Sequence, residues 1–241
     1  VTDALNVVVT ITGAFGNTTA VATWRLGLWS DYAGWPACSA FYEARLAYAG
    51  GPAQPERVSL SVIGQYDNYV PTDAAGVVLD TYAIDVDCVS EDTQAIRWML
   101  PDEKGLLCGA ANGEFVVRPS TTGEALTPTN RKAVLATDVG IADIQAVRAG
   151  KAGLMVDHTT TGVHEMAYVY TDDGFHAPDM TILAEHITKG GIKELTYQKH
   201  PQPVIWAPRN DGVLVGMTYN REQNVIGWHR HEIGGHTDTG S

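Results

Sequence analysis

The stretch Trp228-His-Arg-His-Glu-Ile-Gly-Gly-His236 holds the side chains of this chain best suited to chemistry. Successive side chains of an extended strand alternate between faces, so His229 and His231 share one. Two such imidazoles can hold a zinc ion at about 2.0–2.1 Å once a third ligand, for instance Glu232, joins them. The helical zinc motif HExxH is absent, because His231 and His236 stand five residues apart with two glycines between them. We therefore expect a polar strand edge instead of a metal centre. His229, His231 and Glu232 are the candidate ligands if a metal-dependent hydrolase were encoded, and no cofactor is expected.

Other chemistry is sparse. His164-Glu165 and Glu185-His186 have no second histidine at helical spacing, and the motifs GxSxG, GxxxxGK[ST] and GxGxxG do not occur. Asp80, Asp85, Asp87, Glu91 and Asp92 alternate along a strand or fall in turns, which suits a solvated face better than the facing carboxylate pair of a glycosidase. The loop Tyr66-Asp-Asn-Tyr69 has the aromatics to stack on a sugar or a base, although such rings also serve to fill junctions between sheets. No catalytic residue is expected.

The element that must position the histidines is readable around them. Val204 to Ala207 is a short apolar run, and Asn210-Asp211-Gly212 supplies the positive-φ positions of a tight hairpin. Val213 to Tyr219 answers it, Val225 to His231 gives a further strand, and Ile192 to Gln198 supplies a fourth. This predicts a four-stranded antiparallel meander, the unit of a β-propeller blade. Within it Trp206, Asp211, Gly212, Tyr219 and Trp228 are expected to matter for folding and not for chemistry.

Similar units recur upstream. Strand-like runs at Leu5–Thr12 and Thr19–Trp29 precede a break at Gly34-Trp35-Pro36. Ala37–Ala49 mixes helix and strand preferences and is read as strand. Arg57–Val62, Val77–Tyr82 and Ile84–Val89 follow, then Ala95–Leu100, Leu106–Gly109 and Glu114–Arg118, then Ile144–Arg148, Leu154–Asp157 and Val163–Tyr170. Aligning Arg45–Tyr48, Leu106–Gly109, Leu154–Asp157 and Val213–Gly216 gives four repeats at steps of roughly 50 to 60 residues. One helix is expected over Asp179–Ile187, with Ile182, Leu183 and Ile187 apolar and Gly190-Gly191 as its stop. The expectation is an all-β, propeller-like array of about four antiparallel blades with one short helix near 179–188. It comprises an N-terminal hairpin region (1–34), a propeller-like domain (35–235) and a flexible tail (236–241).

Composition agrees with a turn-rich globular chain: 241 residues, 44% of them hydrophobic, with 25 Gly and 11 Pro. Cys38, Cys88 and Cys108 form no CxxC pair and read as reduced, packed thiols. The net charge of −12 repels a phosphate backbone, which argues against ordinary nucleic-acid binding. A surface past which DNA must slide would be acidic too. No apolar run reaches membrane-span length and the first residues lack a signal-peptide pattern. The first residue, Val1, suggests a processed or partial product.

Several segments resemble tail tubular protein B, the tail nozzle protein of short-tailed bacteriophages. They are TWRLGLWSDYAGWP (23–36), FYEARLAYAGGPAQPERVSLSVIGQYDNY (41–69), AIRWML (95–100), GAANGEF (109–115), DMTILAEHI (179–187) and LTYQKHPQPVIWAPRNDGVLVGMTYNREQNVIGWHRHEIGG (195–235). Proteins of that family are usually several hundred residues long, so the chain reads as a fragment or a short relative. The resemblance implies a virion structural protein assembled in the host bacterial cytoplasm. Copies of it would form a ring, expected to be hexameric, that meets other tail and adaptor proteins and lets DNA pass during ejection. It implies no catalytic residues. The alternative from another class is a tail propeller that binds, or cleaves, a receptor glycan.

Overall fold

The computed structural model describes residues 27–231 and 233, apart from 74, 91–93, 122 and 224. Among them are sixteen strands in four antiparallel sheets of four. The first sheet holds β1 (Cys38–Tyr42), β2 (Arg45–Gly51), β3 (Gln54–Leu60) and β4 (Ile84–Asp87). The second holds β5 (Ile96–Asp102), β6 (Gly105–Ala110), β7 (Gly113–Arg118) and β8 (Lys132–Thr137). The third holds β9 (Val147–Ala149), β10 (Ala152–Val156), β11 (Val163–Val169) and β12 (Gly174–His176). The fourth holds β13 (Thr196–Gln198), β14 (Val204–Pro208), β15 (Leu214–Asn220) and β16 (Val225–His231). Each sheet is a meander in chain order, so the all-β, propeller-like expectation holds.

Alternation along the strands explains how the sheets stack. In β6, Leu106 and Cys108 enter a core shared with the first sheet, while Leu107 between them enters a core shared with the third. Phe115, Val116 and Val117 of β7 divide in the same way. Leu154 and Val156 of β10 face Ile205, Val215 and Met217 of the fourth sheet, and Met155 turns back toward the second. Three cores thus join the four sheets in series. A strand buried on both faces must be apolar at every position, and all six residues of β6 are buried. The first and fourth sheets bury one face in these cores.

Three expectations need correction. Val77–Tyr82 is not a strand: Val77, Val78 and Leu79 are exposed, and the carbonyls of Asp80, Thr81 and Tyr82 accept hydrogen bonds from the buried Arg45 guanidinium. Those acceptors serve a side chain and not a neighbouring strand. The last repeat is one strand out of phase. Arg45, Leu106 and Leu154 lie in the second strands of their sheets, whereas Val213–Gly216 leads into the third strand of the fourth, whose second strand is Val204–Pro208. The helix, α1, spans only Glu185–Thr188. Asp179 accepts the Thr181 amide at 2.7 Å to start the preceding turn, and Thr181, Ala184, Ile187 and Thr188 point inward while Ile182 and Leu183 are exposed. None of the helices described is long and apolar enough to cross a membrane.

The hairpin expected at 5–12 and 19–29 lies outside the described residues except for its last three, which form no strand, and the tail at 236–241 lies outside them entirely. All three cysteines are free thiols, with Cys88 and Cys108 buried. Burial pushes the Cys38 thiol up to about 12, so it stays protonated.

Candidate functional site

The histidines sit where the strand register of the fourth sheet puts them. Trp206 of β14 lies opposite Gly216 of β15, which lies opposite His229 of β16, so the three occupy one row across the sheet. Ile205, Ala207, Val215, Met217 and Tyr219 point into the core, which leaves this row on the outer face. Gly216 is what allows the arrangement. A Cβ there would stand 2.3 Å from the His229 ring, so only glycine lets that ring lie down over the sheet.

His231, two residues on, shares the face. Its Nε2 is 2.6 Å from Nδ1 of His229, a hydrogen bond in which one nitrogen carries the proton and the other accepts it. The two rings meet edge-on with centroids 4.8 Å apart, and Trp206 packs edge-on against both, at 5.8 Å from His229 and 4.9 Å from His231. The indole is fixed from the other side by Nε1 donating to Gln198 Oε1 at 2.9 Å. Thr218 Oγ1 stands 3.5 Å from His229 Nε2. Partial burial, and then the neighbouring His231, lower the His229 pKa from its ordinary value. The ring is therefore neutral at neutral pH, with a lone pair available.

The other residues singled out in this region hold the sheet together. Gly212 has φ +85° at the hairpin tip, and Asp211 forms a fork with Arg209, whose Nη1 donates 2.6 Å to the Ile187 carbonyl of α1. Trp228 Nε1 donates 2.9 Å to the Met180 carbonyl. Tyr219 donates 2.8 Å to Glu165 of β11, and Arg221 pairs with the same carboxylate at 3.1 Å. Sequence reasoning missed that Glu165 and Tyr219 join the third and fourth sheets, since nothing local relates residues so far apart. Glu232 lies outside the described residues, and among those described no three His, Cys, Asp or Glu side chains converge on a metal position.

The outer face of the first sheet is the second candidate. Tyr48, Arg57, Ser59 and Asp85 project from it, and Trp29 packs edge-on against Tyr48 and Tyr69 at 5.0 and 4.7 Å. A cleft of about 470 Å³ opens beside this cluster, and a neighbouring one of about 700 Å³ is lined by Trp35, Tyr66 and Asp67. Asp85 and Asp87 face outward as expected, but both are engaged: Ser59 donates to Asp85 at 2.6 Å and Arg57 to Asp87 at 2.7 and 3.0 Å. That fork holds the Asp87 carboxyl below its ordinary range. Asp80 contributes its carbonyl to the Arg45 clamp, and Glu91 and Asp92 lie outside the described residues.

One further acid was missed. Glu114 of β7 is fully buried, with Oε2 accepting from Thr137 at 2.5 Å and, among the described residues, no well-formed hydrogen bond to Oε1. Burial raises its pKa, against the pull of Thr137 and of the nearby Val139 and Gly140 amides. It sits inside the second sheet, bonded to Thr137, with His164 near enough to act on it electrostatically.

Compared with known protein families and with curated proteins, the chain matches none.

Proposed function

We propose that this chain is a structural, self-assembling module of a tailed-phage virion, part of the tail tube or nozzle through which DNA is ejected. The observation that supports the reading is the serial stack: three cores seal the four sheets to one another, and each terminal sheet keeps an outer face. A module of this kind transmits load and offers surfaces to neighbours, and it needs no catalytic constellation. Its partners on this reading are copies of itself, in a ring proposed to be hexameric, and adjoining tail proteins. The acidic balance of 28 carboxylates against 16 basic residues would let DNA pass without sticking.

Electron microscopy of the purified full chain, and of a particle containing it, tests this directly. Rings on the tail axis are the expected outcome. A protein that stays monomeric at high concentration and is missing from the particle would remove the reading. The exposed aromatics Trp35, Phe41 and Tyr66 on the first sheet favour one alternative, glycan binding. A glycan array separates the two, because the structural reading expects no signal on it.

A further inference from the structure

The hydrogen bond between His229 and His231 carries an inference independent of that reading. A hydrogen bond between two imidazole nitrogens 2.6 Å apart brings two potential donor nitrogens to the same spot on the sheet surface. We propose that this point on the outer face of the fourth sheet is a two-histidine site for a borderline divalent cation, copper(II) above nickel(II) and zinc(II), with His229 Nδ1 and His231 Nε2 as its protein ligands and water completing the shell. Imidazole suits these ions, and copper(II) heads the affinity order for such donors.

The geometry needs only a small adjustment. Two nitrogens that each lie about 2.0–2.1 Å from one ion stand about 3 Å apart. The pair must therefore open by about half an ångström, and the two rings must turn about their side-chain bonds so that both lone pairs point at the ion instead of at each other. The proton balance is a tautomer shift: the shared proton leaves to solvent, the ring that carried it takes one proton from solvent on its other nitrogen, and each imidazole then offers a lone pair to the ion and keeps one proton, with no net proton released. For His229 that other nitrogen is Nε2, which faces Thr218 Oγ1 and is thereby oriented away from the ion.

The surroundings make this more than two neighbouring histidines. Gly216 leaves the recess that seats the His229 ring, and Trp206, anchored by Gln198, walls both rings on one side.

The experiment titrates the full chain with copper(II) sulfate, reading tryptophan fluorescence and the nitrogen couplings of the copper electron paramagnetic resonance spectrum. One site with two nitrogen ligands is expected, with quenching that disappears in Trp206→Phe while binding persists. His229→Gln and His231→Gln should each weaken binding at least about tenfold, since loss of a ligand costs no less than loss of its supporting contacts. Urea midpoints of these variants should match the parent, which separates lost binding from lost folding. Gly216→Ala keeps both imidazoles but lifts His229 from its recess, and should weaken binding as well. The chain has 8 histidines, so binding that survives unchanged in either glutamine variant belongs elsewhere and overturns the proposal. Full affinity in Gly216→Ala, or no copper binding at micromolar concentration, overturns it equally.

Discussion

The two ends of the stack are built differently. On the first sheet the outer face is overlaid by its own chain, where Trp29 packs on Tyr48 and Tyr69 and Tyr69 donates 3.0 Å to the Leu46 carbonyl, while Arg45, on the core-facing side of β2, ties down the 77–83 segment. On the fourth sheet the described residues of the outer face meet chiefly one another. Trp206, His229 and His231 touch across the strands, and Val225 is exposed. The difference teaches that an outer face can be part of the fold or an addition to it. Substitutions at the first end should therefore cost folding energy, and those at the second should mainly alter binding.

The largest effect tests the buried clamp. Arg45 is 1% exposed and donates to the carbonyls of Ser61, Asp80, Thr81 and Tyr82. Arg45→Met keeps much of the volume but strands several carbonyls, so it should lower stability by about 3 kcal/mol. A urea denaturation series measures this, and a loss under about 1 kcal/mol would mean that the 77–83 segment is held by other contacts. Trp29→Ala comes next. Its ring is only half-buried, so about 2 kcal/mol is expected, less than for a core tryptophan. Native-state proteolysis should then cut the 63–83 region first, because Trp29 holds Tyr69 against the sheet.

Tyr219→Phe probes the junction that secures the bare end. It removes the hydroxyl that donates to Glu165 while Arg221 remains to hold the carboxylate. A loss of about 1.5 kcal/mol is expected from one hydrogen bond to a charged group. Glu165→Leu combined with Tyr219→Phe should cost less than the sum of the two single changes, since each alone removes the same bond. Additive losses would show that the two side chains are not coupled.

How far the sequence reveals these ends follows from the range of the forces involved. Strand alternation and turn residues act locally, so Ile84–Asp87, the β6–β7 hairpin and the whole meander from Thr196 to His231 are legible in composition and spacing. The phase of the last repeat is misleading because its tight hairpin is displaced. In the first three sheets a two-residue turn joins the first and second strands, at 43–44, 103–104 and 150–151. In the fourth, five residues intervene there, and the Asp211-Gly212 turn joins the second and third strands instead. β8 and β12 escape notice for another reason: one is half-buried throughout with Leu135 exposed, and the other is three residues long, so neither gives a strong apolar signal. The Arg45 clamp is illegible in principle, since its acceptors are backbone carbonyls that any residue would provide. For the candidate site, the shared face of His229 and His231 follows from spacing alone. The recess at Gly216 and the flanking Trp206 follow only from strand register.

The smallest effect bears on the histidine pair. Burial, followed by the neighbouring His231, depresses the His229 pKa in the folded chain, so the native state favours the neutral ring. A histidine lowered on folding contributes stability that is complete above the ordinary histidine range and is lost as pH falls through that range toward the folded value. Acidification from about pH 7.5 to 5.5 spans the range on the unperturbed scale. The ring is only partly buried, so solvent screening holds the loss to under about 0.5 kcal/mol. Carboxylates titrate at the lower end of the same window, and the informative quantity is therefore the difference between the parent and His229→Gln. Stability at pH 7.5 should be equal in the two within a few tenths of a kcal/mol, and the parent alone should show the additional decline. A fall of about 2 kcal/mol or more in the parent that His229→Gln abolishes would mean that the outer face of the fourth sheet is as deeply part of the fold as that of the first, and would erase the contrast between the two ends.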